Sequence, residues 1–134
     1  MAKILIIEDS ISQAEIIAEV CENSGHQTMV HLDFTKGIHQ VLLSFQPEIV
    51  LIDLVLLGPD GKPAADGFQI CREVKRVSKG KVGVIIVSAK DDSESMEWAM
   101  LQGADYYVKK PFVVRELIIA VHSVLLKLRS GKQR

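Results

Sequence analysis

The stretch Pro47-Glu48-Ile49-Val50-Leu51-Ile52-Asp53-Leu54 decides how this chain folds. Residues 49–52 are apolar without a break, rich in Ile and Val, and a carboxylate follows at once. A strand with one wet face alternates polar and apolar residues, whereas a continuous run suits a strand buried on both faces, as in a parallel sheet covered by helices. Residues 4–7, 82–87 and, more weakly, 28–32 share the pattern, and a short aromatic candidate at 106–108 suits the edge of the sheet.

Helical spacing fills the intervals. Residues 12–23 repeat apolar positions at Ala14, Ile17, Ala18 and Cys21, and Gly25 offers a stop. Asp33 can cap a helix over 34–45 that ends before Pro47. Further helices are predicted over 68–77, over 92–101 with a stop at Gly103, and over 113–128 with Leu117, Ala120, Val121, Val124, Leu125 and Leu128 on one side. Strand and helix alternate five times, which argues for an α/β doubly wound parallel sheet whose crossovers are right-handed. No internal repeat or low-complexity segment interrupts it, so residues 1–128 read as one domain and 129–134 as a short basic tail.

Composition narrows the classes. The chain has 134 residues, 48% hydrophobic and 25% charged, which is enough for one sizeable core. A net charge of -1 gives no global attraction to nucleic acid or anionic membrane. Cys21 and Cys71 stand alone, without CxxC or His at ligand spacing, and read as small apolar helix residues. The apolar run after Met1-Ala2-Lys3 is far too short for a signal peptide, and none approaches membrane-spanning length, so a cytoplasmic location is expected.

In an open α/β sheet, ligands bind beyond the carboxyl ends of the strands. Glu8 and Asp9 follow the first apolar run, Asp53 the third, Ser88 the fourth, and Lys110 with Pro111 the fifth. Three acids brought together repel unless a cation lies among them, and hard oxygen donors with room for water suit Mg²⁺. Lys110 adds a compact charge for a phosphate. Phosphoryl transfer needs chiefly positioning and charge neutralisation, which makes Asp53 the candidate nucleophile for an aspartyl phosphate.

Over nearly its whole length the chain resembles the receiver domains of two-component response regulators. The matching pieces are Ile4-Leu5-Ile6-Ile7-Glu8-Asp9-Ser10, the segment quoted above, Asp66-Gly67-Phe68, Val87-Ser88-Ala89-Lys90-Asp91-Asp92, and Gly103-Ala104-Asp105-Tyr106-Tyr107-Val108-Lys109-Lys110-Pro111-Phe112. The resemblance implies a flavodoxin-like five-stranded sheet of order 2-1-3-4-5 with five flanking helices. It implies Mg²⁺ held by Glu8, Asp9, Asp53 and the Val55 backbone carbonyl, with Asp53 as phosphoacceptor. Ser88 and Lys110 then bind the phosphoryl group, and Tyr107 turns inward as Ser88 is drawn to it. A cis Lys110-Pro111 bond is expected. Such a domain is a phosphoacceptor rather than an enzyme, limited to self-phosphorylation from phosphodonors and slow autodephosphorylation. Its partners are a sensor histidine kinase or histidine phosphotransfer protein, and a downstream protein target on the face of helix 4, strand 5 and helix 5. Direct nucleic-acid contact and membrane insertion are not expected, and the chain reads as a single-domain regulator that is a monomer or weak homodimer.

Departures from the family pattern concentrate at 54–65, a connection longer than usual by about half a dozen residues, with Leu57 where a proline is normal. Gly58-Pro59-Asp60-Gly61 carries strong turn chemistry, so a small protruding hairpin-like loop is expected, either a tolerated insertion or one that bears on partner choice or phosphate lifetime. Lys90 and Val55 stand where the family varies residues that govern phosphoaspartate hydrolysis. Val113 lacks the polar N-cap expected before the last helix, a cost of about 1 kcal/mol. Aspartate-nucleophile phosphatases need a second acid where Val55 stands, and an acid-rich crevice would repel a flavin phosphate. No phosphate-cradling glycine loop is present, and His26, His31, His39 and His122 lack ligand or triad spacing. The remaining rival is a non-phosphorylated receiver-like interaction module.

Overall fold

A computed structural model of the chain describes residues 1–32 and 37–131. Five strands, β1 (Lys3–Ile7), β2 (Gln27–His31), β3 (Ile49–Ile52), β6 (Gly83–Ser88) and β7 (Tyr106–Lys109), form a parallel sheet in the order β2-β1-β3-β6-β7. A separate antiparallel hairpin, β4 (Val55–Leu57) and β5 (Pro63–Asp66), is inserted after β3. Without the hairpin the order is the expected 2-1-3-4-5, with aromatic β7 at the edge.

The unbroken apolar runs serve two cores at once, because successive residues of a strand point to opposite faces. On one face Ile4, Ile6, Ile49, Leu51, Ile85 and Val87 pack against α1 (Ile11–Asn23) and α5 (Val114–Gly131). On the other, Leu5, Ile7, Val50, Ile52, Val84 and Ile86 meet α2 (Ile38–Phe45), α3 (Gly67–Ser78) and α4 (Ser93–Leu101). Both central strands β3 and β6 are buried along their whole length.

Local chemistry sets most helix ends. The side chains of Ser10, Asp66 and Asp92 accept from the N–H groups of Gln13, Phe68 and Ser95, each satisfying one of the donors left open at a helix start. Gly25, at φ 89°, turns the chain after α1 in a conformation that costs other residues more. The second helix differs from expectation: α2 begins at Ile38, with Gly37 as an extended N-cap that has no side chain to offer. The expected cap Asp33, and Phe34 with it, lie outside the described residues. At the other end of the chain α5 continues to Gly131, so Arg129 and the two residues after it extend the helix rather than start a tail. Val113 precedes α5 as expected, and Glu116 in its first turn brings negative charge to the positive end of the helix dipole.

Asp105 fastens the two layers together. Its carboxylate accepts from the Val84 N–H at 2.9 Å and pairs with Lys75 of α3 at 2.6 Å and Lys127 of α5 at 2.8 Å. Burial by itself would raise its pKa, but the bonds from Lys127, Lys75 and the Val84 amide outweigh that, and the net shift is below the ordinary 3.8. A carboxylate with a depressed folded pKa adds stability that is complete above the unfolded value and is lost as pH falls through the folded one. Asp105→Asn is therefore expected to destabilise the neutral-pH protein by about 1–3 kcal/mol in urea titration. The difference from wild type should shrink as pH falls below 3.8.

Candidate functional site

The carboxyl ends of β1, β3, β6 and β7 open on one rim, and each delivers a polar group there. Glu8 and Asp9 leave β1, Asp53 leaves β3, Ser88 ends β6, and Lys110 follows β7. All five expected side chains are brought to this rim, with Glu8, Asp53 and Ser88 buried and Asp9 and Lys110 partly so. The Lys110 N–H donates to the Ser88 carbonyl at 2.9 Å, which fixes the end of β7 against the end of β6. The Lys110-Pro111 bond beyond it is cis.

Lys110 organises the acids. Its ammonium Nζ donates to Asp53 Oδ2 at 2.8 Å and to Glu8 Oε2 at 2.9 Å, and its third partner is the Gln13 side-chain oxygen. Three donors meet three acceptors, so the ammonium is fully satisfied in a half-buried position. Burial depresses its pKa, but the bonds and charges of Asp53 and Glu8 outweigh that and hold it above the ordinary lysine value. Glu8 experiences the opposite balance. Desolvation raises its carboxyl to about 7 against the lowering by Lys110, and the neighbouring Asp53 charge adds to the rise.

Glu8, Asp9 and Asp53 each place a carboxylate oxygen within 4.8 Å of the other two, the one such group of His, Cys, Asp or Glu ligands among the described residues. Hard oxygen donors at that separation fit a small divalent cation that keeps part of its water, such as Mg²⁺. The four histidines contribute nothing to it, and burial pushes the Cys21 and Cys71 thiols up to about 12 and about 11, which leaves them unreactive.

Two further groups at the rim are backbone atoms. The hairpin expected at 54–65 is present, but Leu56 is wholly buried in the second core and pins β4 to the body of the domain. The Val55 N–H donates to Asp53 Oδ1 at 3.2 Å and the Leu57 N–H to Asp9 Oδ2 at 2.9 Å. Gly67, where the chain leaves the hairpin for α3, is packed so tightly that a Cβ there would run into the Asp53 carbonyl oxygen and lie 2.6 Å from the Leu54 Cα.

Ser88 and Tyr107 are linked through one residue. Ser88 Oγ accepts from the Lys90 N–H at 3.3 Å, and the Lys90 carbonyl accepts from the partly buried Tyr107 hydroxyl. Burial, with the Asp92 charge second, raises the phenol's pKa, so it remains a donor.

Gln13 was not a candidate from sequence. Ser10 and Gln13 have the spacing of a capping box, which would send the glutamine back to the helix N-terminus, yet its side chain turns to Lys110 instead. The Leu57 amide had no signal of its own, because every residue but proline carries that donor.

The response regulator receiver domain family model matches residues 4–122. The transcriptional regulatory protein YxdJ of Bacillus subtilis is 35% identical over 134 residues, covering 100% of this chain and 52% of that protein. The DNA-binding response regulator MtrA of Mycobacterium tuberculosis strain H37Rv is 33% identical over 123 residues, 92% of this chain and 50% of its own. Among solved structures, the BeF3-activated DrrB receiver domain superposes with a TM-score of 0.76 at 26% identity, over 93% of this chain and 97% of that one. This chain belongs to the response regulator receiver domain family, a family of phosphoacceptor signalling domains. It spans about half the length of the curated relatives it matches.

Gly67→Ala is expected to lower stability by about 1–3 kcal/mol in chemical denaturation, because rigid backbone on the Asp53 side must shift to admit the methyl group. Lys110→Met removes the ammonium that lowers the Glu8 pKa, so carbon-detected NMR of the metal-free variant should find that carboxyl titrating above the wild-type value of about 7.

Proposed function

We propose that Asp53 accepts a phosphoryl group from a phosphohistidine on a sensor histidine kinase or a histidine phosphotransfer protein. A carboxylate oxygen of Asp53 attacks phosphorus, a P–O bond forms as the P–N bond to histidine breaks, and the imidazole leaves with its electron pair. The observation that carries the reading is the Lys110 ammonium held between Asp53 and Glu8 beside a third acid, Asp9. Mg²⁺ fits Glu8, Asp9, Asp53 and the Val55 carbonyl, which shares the β4 edge with the Val55 N–H. When bound, the cation neutralises charge that develops on the transferring group.

The remaining roles fall to the chain itself. Lys110 already contacts the reacting carboxylate and can shift its donors to phosphoryl oxygens, leaving Gln13 to keep the ammonium oriented. Ser88 is the hydroxyl that turns to the phosphoryl group. The hydroxyl can donate its O–H there while still accepting from the Lys90 N–H. A shift of Ser88 toward the phosphoryl group therefore pulls on Lys90, the residue whose carbonyl the Tyr107 hydroxyl holds. Phosphorylation thus loosens Tyr107 and changes the face of α4, β7 and α5, where a downstream protein target docks. A differential of a few kcal/mol between the two arrangements is enough to reverse their populations.

This is a phosphoacceptor switch acting through protein contact, with self-phosphorylation and slow autodephosphorylation its only chemistry. No direct nucleic-acid contact by these residues is proposed, and the domain acts in the cytoplasm as a monomer or weak homodimer. No helix among the described residues is long and apolar enough to cross a membrane. The DrrB relative is described as activated by BeF3, and similarity to it supports the same susceptibility here.

Incubation with acetyl phosphate and Mg²⁺ should add one phosphoryl mass to the intact protein and none to Asp53→Asn. Wild-type protein that gains no mass would instead favour the receiver-like module that works by contact alone.

A further inference from the structure

The hairpin of β4 and β5 is where this chain departs from its family's pattern, and it touches the acid cluster directly. In an antiparallel pair, alternate residues of a strand turn their N–H groups toward the partner and away from it. Leu56 pairs with Ala65 on the inner side, so Val55 and Leu57 present theirs on the outer edge. Those two amides, one pleat apart, meet Asp53 Oδ1 and Asp9 Oδ2. A register shift between Leu56 and Leu57 accompanies the arrangement, and the strand is anchored by the wholly buried Leu56 side chain. An edge that would otherwise be unpaired is thereby closed by two carboxylates from other strand ends.

We propose that the hairpin is a working part of the cation site: the outer edge of β4 positions Asp9 and Asp53 for Mg²⁺, so hairpin order and cation binding reinforce one another. The inference rests on the Mg²⁺ reading of the Glu8, Asp9 and Asp53 cluster. An N–H bonded to one carboxylate oxygen fixes the group's orientation; on Asp9 it occupies Oδ2 and leaves Oδ1, while on Asp53 it occupies Oδ1 beside the Oδ2 that Lys110 holds. Asp9 needs this support more than Asp53 does, since Lys110 contacts Glu8 and Asp53 but makes no ion pair with Asp9. Coupling between two sites is reciprocal, so the factor by which the hairpin strengthens cation binding is the factor by which the cation suppresses opening of the hairpin.

The test is an amide NMR titration of the full chain with Mg²⁺ alone, with exchange rates followed at Gly58 and Gly61, whose N–H groups close the hairpin turn on Lys62 and Gly58 carbonyls. Two variants remove the Leu57 donor. Leu57→Pro places proline at an edge position whose N–H faces away from β5, and a backbone ester at the same residue deletes the N–H alone should proline prevent folding. Mg²⁺ is expected to slow exchange at Gly58 and Gly61 in the wild type. The Mg²⁺ dissociation constant should rise about tenfold or more in the folded variants, and the slowing should vanish with it. Equal Mg²⁺ affinity with and without the Leu57 N–H would overturn the coupling while leaving the cation site intact. A wild-type chain whose Asp9, Asp53 and Val55 amides ignore Mg²⁺ would overturn the cation site and the coupling together.

Discussion

Lys110 shares one ammonium between Glu8 and Asp53, and the rim of the sheet depends on that arrangement. Parallel strands all end on the same side, so any polar residues placed just past their apolar runs must collect there. Here the result is three acids crowded against a sheet edge, two of them buried. Glu8 shows the strain of that crowding, since its burial and the Asp53 charge beside it raise its carboxyl to about 7. One lysine offsets part of it. It bonds two of the three acids and leaves the third, Asp9, to a hairpin amide on Oδ2. An acid group neutralised only in part is suited to taking up a further cation.

The same compactness couples the rim to the rest of the domain. Ser88, Lys90 and Tyr107 form a run of two hydrogen bonds through a single residue, from the buried end of β6 to the edge strand β7. The link is continuous because Lys90 takes part in both bonds, through its N–H to Ser88 and its carbonyl to Tyr107. The anchorage lies elsewhere. Asp105 joins the start of β7 to β6, α3 and α5, so motion at the far end of β7 takes place against a fixed base. The inserted hairpin obeys the same rule, with Leu56 anchored in the core while the two outer amides beside it face the acids.

The central strands were legible because a residue buried on either face must be apolar, and four such runs leave little choice of architecture. The strand-end residues Glu8, Asp9, Asp53, Ser88 and Lys110 were legible for the same reason, as topology alone sends them to one side. Reading faltered where periodicity carries no information. Residues past Leu128 have no core to face, so the last turn of α5 leaves no apolar trace. Gly37 caps α2 with backbone alone, and no side chain announces it. Gln13 looked like half of a helix cap, and only the packing of α1 beside β7's end revealed a nearer cation.

The amino-acid sequence by itself determined the α/β class, the sheet that its unbroken apolar runs demand, and the identity of the charged groups beyond the strand ends. It did so because burial and strand direction are properties of local pattern. Tertiary structure decided which partner each of those groups takes: Lys110 with two acids and a glutamine, Asp9 with a hairpin amide, Tyr107 with a carbonyl seventeen residues away. Those choices depend on distances between segments remote in sequence, and backbone donors and acceptors, identical at nearly every residue, acquire a role only when folding sets them in place.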